Sequence, residues 1–550
     1  MTYEKDNIPD FALMPAKQPE ERVRIPIAQG AVFSPLLITH ITEKPRTVIR
    51  LEEDVLVPDT RPDLKDILEI SGKIHLTTRE FDAASRSEDS IPVNGEIELQ
   101  TLYIPEKSGL YGPVITITSR IAFREQWHTT LTSDSSLFLD ARIDSIDFMV
   151  INERKFRVKI AIAVQAREYR EQKVELFEGL TSEDIQTLRQ RVELTDTALR
   201  KKDIITIKED LERKETDPEI GTLLRQDIRV TENYRQATAE KAVINGFIYV
   251  SLLYSTEEGP QLHQMQSRVE FTIFIPLSQG GQWSGSSVTF DGSSLRVRQI
   301  TAEDGADVLR LEGDIITWLE LYRSQEREII TDAYHRQKDF VCDFEAADCR
   351  CLTASVTGEA GVHEAIALDD SAGAPSQIVY VSAEVVRAES HGEPGRILTE
   401  GTLAVSMLCQ TDTSSEDEVP SLFSTRREIP FRCVTAAPQL SGNEFIRHQV
   451  YLKDIWAEKS GSHQAEFNAT VLVSAEAMSP VSLKMLKNPG FEEIQGAAPP
   501  PKPLAVYIVK EGDTLWSVAR HFKSTTDSIA QLNQAEDGQL TPGRKLLILR

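Results

Sequence analysis

Cysteine and histidine have the widest chemical reach of the residue types, and neither is spaced here for a reaction. The five cysteines, Cys342, Cys349, Cys351, Cys409 and Cys433, form an odd set in one region with no Cys-x-x-Cys pair and no matching histidine spacing. They read as reduced structural thiols; Cys349-x-Cys351 could hold a metal only with a second half that the sequence does not supply. Ten histidines lie singly between His40 and His521 and read as surface or packed residues. A phosphate loop, His-Glu-x-x-His, Gly-x-Ser-x-Gly and a dinucleotide glycine fingerprint are all missing from the sequence. The remaining catalytic option is a glycosidase-type carboxylate pair, which a fold assembles without a sequence spacing. No catalytic residue, cofactor or metal ligand is assigned, and the expectation is a protein that is not an enzyme.

Binding chemistry is better marked, and it sits at the C-terminus. Tyr507-Ile508-Val509 has the pattern of a strand, and Glu511-Gly512-Asp513-Thr514 supplies a turn glycine and N-cap oxygens for a helix. Leu515, Val518, Ala519 and Phe522 then follow at i, i+3, i+4 and i+7, one apolar stripe. Thr526 or Asp527 can cap a second helix carrying Ile529 and Leu532, and Leu540-Thr541-Pro542-Gly543 turns the chain into a last strand from Lys545 to Leu549. Two helices on a two-stranded sheet make a small α+β (βααβ) domain. Trp516 is hard to bury in so small a core and is expected to be an exposed anchor.

The elements that must position this tail fill the rest of a 550-residue chain, long enough for several domains. Hydrophobic residues at 40% and charged residues at 27% are globular usage, so a packed chain is expected. A net charge of −25 without a basic patch argues against nucleic-acid and anionic-membrane partners. No stretch approaches the ~18 apolar residues of a membrane span. Met1 to Arg24 is studded with charges and lacks a secretory apolar region, so residence inside the cell is expected.

A long repeat organises the body. Gly95, Gly246 and Gly401, spaced 151 and 155 residues apart, each open a run with apolar residues at period two, as in Gly246-Phe247-Ile248-Tyr249-Val250. Roughly 25 residues on, Ile121-x-Phe123, Val269-x-Phe271 and Ile429-x-Phe431 read as partner strands of hairpins. Val48 to Asp54 matches Ile204 to Asp210 at an offset of 156, as do Pro62-Asp63-Leu64 and Pro218-Glu219-Ile220. Proline, an acidic residue and apolar residues at i, i+3 and i+4 predict a short helix at each site. The third copy lacks that signal and is the most divergent, although Val381 to Val385 resembles Ile70 to Ile74. Ser182 to Arg191, acids first and arginines last, predicts a connecting helix. Asn488-Pro489-Gly490 opens a segment ending in Pro499-Pro500-Pro501-Lys502-Pro503, expected to be an extended spacer.

The C-terminal string resembles a LysM domain through Tyr507-x-Val509-x-x-Gly512-Asp513-Thr514-Leu515, Val518-Ala519, Leu532-Asn533 and Leu540-x-x-Gly543-x-x-Leu546-x-Ile548. That resemblance implies binding of N-acetylglucosamine polymers in a shallow groove lined by Gly512, Asp513, Thr514 and Leu515, with Trp516 beside them, facing Asn533, Leu540, Pro542 and Gly543. The repeats resemble SPOCS domains through Val57-Pro58-Asp59-Thr60-Arg61-Pro62-Asp63-Leu64, Ile67 to Lys73 and the glycine-strand motifs. Three such units before a LysM tail are similar to SipL-type spore-coat morphogenesis proteins. This similarity implies a scaffold in the mother-cell cytoplasm at the forespore surface, whose LysM domain binds the stage IV sporulation ATPase of the coat basement layer. A cell-wall glycan binder is the alternative reading and a wall hydrolase a third. The expected fold is multidomain and mainly β. An N-terminal extension (1–24) precedes SPOCS-like repeats at 25–170, 171–336 and 337–486, a Pro-rich linker at 487–504 and the LysM domain at 505–550.

Overall fold

Period-two patterning dominates the sequence, and the computed structural model is correspondingly almost all strand. It describes residues 22–27, 30–82, 90–107, 112–132, 134–181, 185–213, 217–256, 261–277, 281–301, 307–368, 375–411, 421–494, 504–535 and 539–549.

After β1 (Arg22–Pro26), the first copy contains β2 (Ala31–Glu43), β3 (Thr47–Leu56), β4 (Leu64–Leu76), β5 (Glu80–Asp82), β6 (Ser90–Pro105), β7 (Ile115–His128), β8 (Ser135–Asn152) and β9 (Lys155–Leu180). The second contains β10 (Ile185–Leu211), β11 (Ile220–Ala237), β12 (Lys241–Thr256), β13 (Leu262–Pro276), β14 (Gly285–Asp291), β15 (Arg296–Thr301) and β16 (Asp307–His335). The third contains β17 (Asp339–Ala367), β18 (Pro375–Glu393), β19 (Arg396–Thr411), β20 (Leu422–Ala436), β21 (Phe445–Lys459) and β22 (Gln464–Ile494). In each copy a three-stranded sheet (β4-β6-β7, β11-β12-β13 or β18-β19-β20) faces a sheet built around one long strand, β9, β16 or β22. Each sandwich encloses its own apolar core, containing for example Val93, Ile97 and Phe156, then Ile244, Leu252 and Leu311, then Leu403, Val405 and Phe467.

The repeated glycines have a steric cause. Gly95, Gly246 and Gly401 pair directly across the ladder with Phe123, Phe271 and Phe431. The phenylalanine ring lies over the glycine, so a Cβ on Gly246 would meet the Phe271 ring and the Thr231 carbonyl oxygen, each at 2.5 Å. Glycine and phenylalanine thus form one structural unit, repeated three times.

The helices predicted over 62–68 and 218–224 are strands, the first turns of β4 and β11. Two β-bulges, between Leu64 and Asp66 and between Ile67 and Glu69, insert extra residues, so Leu64, Ile67 and Ile70 share the core face at a spacing that mimics a helix. The same bulges occur at Ile220/Thr222 and Leu223/Arg225, and at Pro375/Gln377 and Ile378/Tyr380, so the divergent third copy keeps the same backbone. Of the connecting helix predicted from Ser182, residues 182–184 lie outside the described residues, and Ile185 onward is β10. Its arginines serve cross-strand pairing, with Arg191 Nε 3.2 Å from Glu328 Oε1. Asn488-Pro489 sits in a bulge of β22 opposite Val341/Asp343 and the strand continues to Ile494, so the spacer does not begin at 487; residues 495–503 lie outside the described residues.

Three sandwiches close on one another in sequence. β11 touches β7, β18 touches β13, and β4 touches β20, the same head-to-tail contact made three times. One apolar cluster between copies gathers matching residues from all three: Leu68, Leu224 and Val379, then Leu102, Leu253 and Leu408. A second joins Leu176, Ile329 and Met485 on the long strands, and it buries Cys349. Burial pushes the Cys349 thiol up to about 11. The N-terminal β1 pairs with β22 of the third copy, from Arg22↔Ile494 to Pro26↔Gly490. No helix among the described residues is long and apolar enough to cross a membrane.

Candidate binding groove

The tail folds as β23 (Leu504–Ile508), α1 (Leu515–Phe522), α2 (Thr526–Leu532) and β24 (Lys545–Leu549), with β23 antiparallel to β24. Thr514 caps α1 through a capping box, Ser517 N donating to Thr514 Oγ1 at 3.1 Å and Thr514 N to Ser517 Oγ at 3.0 Å. Gly512 and Gly543 have φ of +85° and +86°, the left-handed turn conformation that glycine allows without strain. Gly543 N donates to Val509 O at 2.8 Å and Val509 N to Arg544 O at 2.9 Å, holding the two loops side by side. The two exposed turns thus lie side by side.

The sequence-assigned lining divides by role. Gly512, Thr514, Pro542 and Gly543 are exposed and form the open rim. Asp513 accepts from the Tyr507 hydroxyl at 2.8 Å and from Lys510 N at 2.7 Å, bonds that hold its carboxyl below the usual range. Asn533 pairs with β24 like a strand residue, donating to Leu547 O and accepting from Leu547 N, both at 2.7 Å. Leu515 and Leu540 are half-buried against the tail core of Val509, Val518, Ala519, Ile529, Leu546 and Ile548. Asp513, Asn533, Leu515 and Leu540 therefore shape the groove from behind.

Trp516 is not the exposed anchor expected of it. Its Nε1 donates to Asp332 Oδ2 at 2.8 Å, and its ring meets Tyr334 edge-on at 5.0 Å, both on β16 of the body. The indole was correctly expected to find too little cover within the tail; the cover comes from a distant part of the same chain. The Tyr334 hydroxyl donates to Ser524 O at 2.6 Å, and Arg520 and Lys523 pair with Asp332 and Asp339 at 2.6 and 2.5 Å. Burial pushes the Tyr334 hydroxyl up to about 12, so it stays a donor. These docking residues carry no local sequence signal, because Asp332 and Tyr334 simply alternate on a strand.

Among the described residues no His, Cys, Asp and Glu cluster has the arrangement of a metal site. The body holds a cavity of about 510 Å³ where the three sandwiches meet, lined among others by the carboxylates of Glu98, Asp227 and Glu384. Asp227 Oδ2 accepts from Arg225 Nε at 3.0 Å and also from the Tyr380 hydroxyl, and Glu98 Oε2 accepts from Arg120 Nη2 at 3.0 Å. Two of the three carboxylates are thus engaged in ion pairs.

Residues 507–549 match the LysM domain family. No curated protein and no solved structure matches the chain.

Proposed function

We propose that this chain is a non-enzymatic assembly protein in which a ring of three β-sandwiches carries a LysM tail that holds a macromolecular ligand. One observation carries the reading: the rim of Gly512, Thr514, Pro542 and Gly543 is open while Trp516, Arg520 and Lys523 fasten the same domain to the body. A tail fastened in this way sets the position of whatever it binds relative to the body.

The LysM match supports a ligand of the N-acetylglucosamine polymer class or one that uses the same groove. The resemblance of the repeats supports the narrower reading, a scaffold of endospore coat assembly in the mother-cell cytoplasm that binds the stage IV sporulation ATPase. The scaffold reading takes a protein as the ligand of this rim. The tail's one tryptophan is turned to the body, so the rim of small turn residues offers a ligand backbone groups and short side chains rather than an aromatic face.

Calorimetric titration of the full chain with the purified ATPase, with chitohexaose and with soluble peptidoglycan fragments separates these readings. Saturable ATPase binding that weakens roughly tenfold or more in Pro542→Glu is expected. Saturation by the glycans with no response to the ATPase would replace the scaffold by a cell-wall binder. Peptidoglycan turnover that disappears in Glu384→Gln would make the chain a hydrolase.

A further inference from the structure

The cavity at the junction of the three sandwiches is built from equivalent strand positions. Lys73 on β4, Arg229 on β11 and Glu384 on β18 lie at offsets of 156 and 155 residues and all face it. In a chain of net charge −25, its wall carries four basic residues, Lys73, Arg120, Arg229 and Arg296, against three acidic ones. Pairing removes Arg120 with Glu98, and Asp227 is committed to Arg225 and Tyr380. The surplus is cationic.

Arg229 is the decisive residue, since its Nε and Nη1 are buried and donate to no partner. Lys73 has no hydrogen bond or ion pair among the described residues and feels only the through-space attraction of Asp227 and Glu98. Buried cations in folded proteins are ordinarily paired, because an uncompensated charge away from water is costly. Burial lowers both side chains from their ordinary values, outweighing the through-space attraction of Asp227 for each. Glu384 and Arg296 keep solvent exposure, so the cavity is reachable from outside. Its volume suits a small molecule rather than a few waters alone.

We propose that this inter-repeat cavity binds a small phosphate-class anion, held by hydrogen bonds from the Arg229 guanidinium and neutralised by Lys73. Arg229 offers its unpartnered Nε–H and Nη1–H as charge-assisted donors to phosphate-type oxygens, and a lysine adds a point charge. Glu384 limits the charge that the site accepts. Since the ligand touches strands of all three copies, its binding tightens the ring.

Thermal unfolding and calorimetry of the full chain test this, with inorganic phosphate and pyrophosphate as probes and sodium chloride at matched ionic strength as control. Saturable binding and a rise in Tm of several degrees above the chloride control are expected. Arg229→Gln and Lys73→Met should each weaken binding at least roughly tenfold. Without anion they should melt no lower than the parent, since each removes an unpaired charge. Glu384→Gln should tighten binding severalfold. The proposal is overturned if neither anion raises Tm above the chloride control, if the Arg229→Gln/Lys73→Met double variant binds as the parent does, or if Glu384→Gln weakens binding.

Discussion

An indole ring in a domain of 44 residues has few places to go, and Trp516 resolves this by leaving its own domain. The contact combines an edge-on ring pair with Tyr334 at 5.0 Å and a hydrogen bond to the Asp332 carboxylate at 2.8 Å. A ring pair contributes about 1 kcal/mol and a hydrogen bond to a charged group about 2 kcal/mol. Trp516→Ala should therefore shift the docked-to-undocked ratio of the tail by roughly a hundredfold while the tail itself stays folded. Hydrogen exchange read by mass spectrometry should show faster exchange at the end of β16, around Asp332 to His335, with the tail amides unchanged. Ligand affinity should persist in this variant, because the rim residues Gly512, Thr514, Pro542 and Gly543 are untouched. Lost affinity with β16 still protected would return Trp516 to the groove. Leu515→Glu is a different experiment, since it places a charge against Val518 and Leu546 and should unfold the tail outright.

The glycine-phenylalanine pair is the clearest case of an element written into the sequence. Gly246→Ala puts a methyl 2.5 Å from both the Phe271 ring and the Thr231 carbonyl, and the carbonyl cannot retreat without disturbing the ladder. Overpacking of this kind costs about 3 kcal/mol. Urea unfolding followed by circular dichroism should show a lower midpoint for Gly246→Ala, partly restored by adding Phe271→Leu. A wild-type midpoint in the single variant would refute the steric account. The strand and hairpin content, the repeat period and the tail were legible because side-chain alternation and turn glycines are local properties. The bulges were not, since an inserted residue changes period two into the three-residue spacing of Leu64, Ile67 and Ile70 that a helix also shows. Charge order misled in the same way at Arg191, whose acidic partner Glu328 lies across the sheet. Of the residues assigned to the groove, the turn positions were recognisable in the sequence, whereas the supporting roles of Asp513 and Asn533 depend on which backbone groups come within reach. Nothing local foretold the Trp516 contact or the central cavity, both made by residues far apart in the chain.

At the scale of the molecule, three sandwiches behave as one body only if the junctions hold, and two devices reinforce the apolar clusters that join them. The strand β1 ties the start of the chain to β22 near its end, so deleting residues 22–27 should expose the β22 edge and open the ring. Small-angle scattering should report a larger radius of gyration for the deletion, and an unchanged radius would show that the strand is dispensable. The second device is a buried charge cluster in which Arg447 pairs with Glu320 at 2.6 Å and Glu476 at 3.3 Å, and Arg235 pairs with Glu476 at 3.0 Å. These side chains come from the second and third copies, and Arg167 of the first lies 3.9 Å from Glu320. Burial alone would raise the Glu320 carboxyl, but Arg447, Arg167 and the Tyr169 hydroxyl outweigh it and bring it down to about 2. A carboxyl depressed by folding stabilises the native state above its unfolded value near 4.5, and the contribution drains away as pH falls from there toward 2. The loss over that window is on the order of 3 kcal/mol. Glu320→Gln should therefore have a lower urea midpoint than the parent at pH 7, where it leaves Arg447 short of a partner. Between pH 4.5 and 2.5 the two midpoints should converge, because the unfolded parent then takes up a proton at Glu320 that its native state, still ionised down to about 2, does not. Parallel pH profiles across that range would mean that Glu320 titrates normally and that the junction is held by its apolar clusters alone.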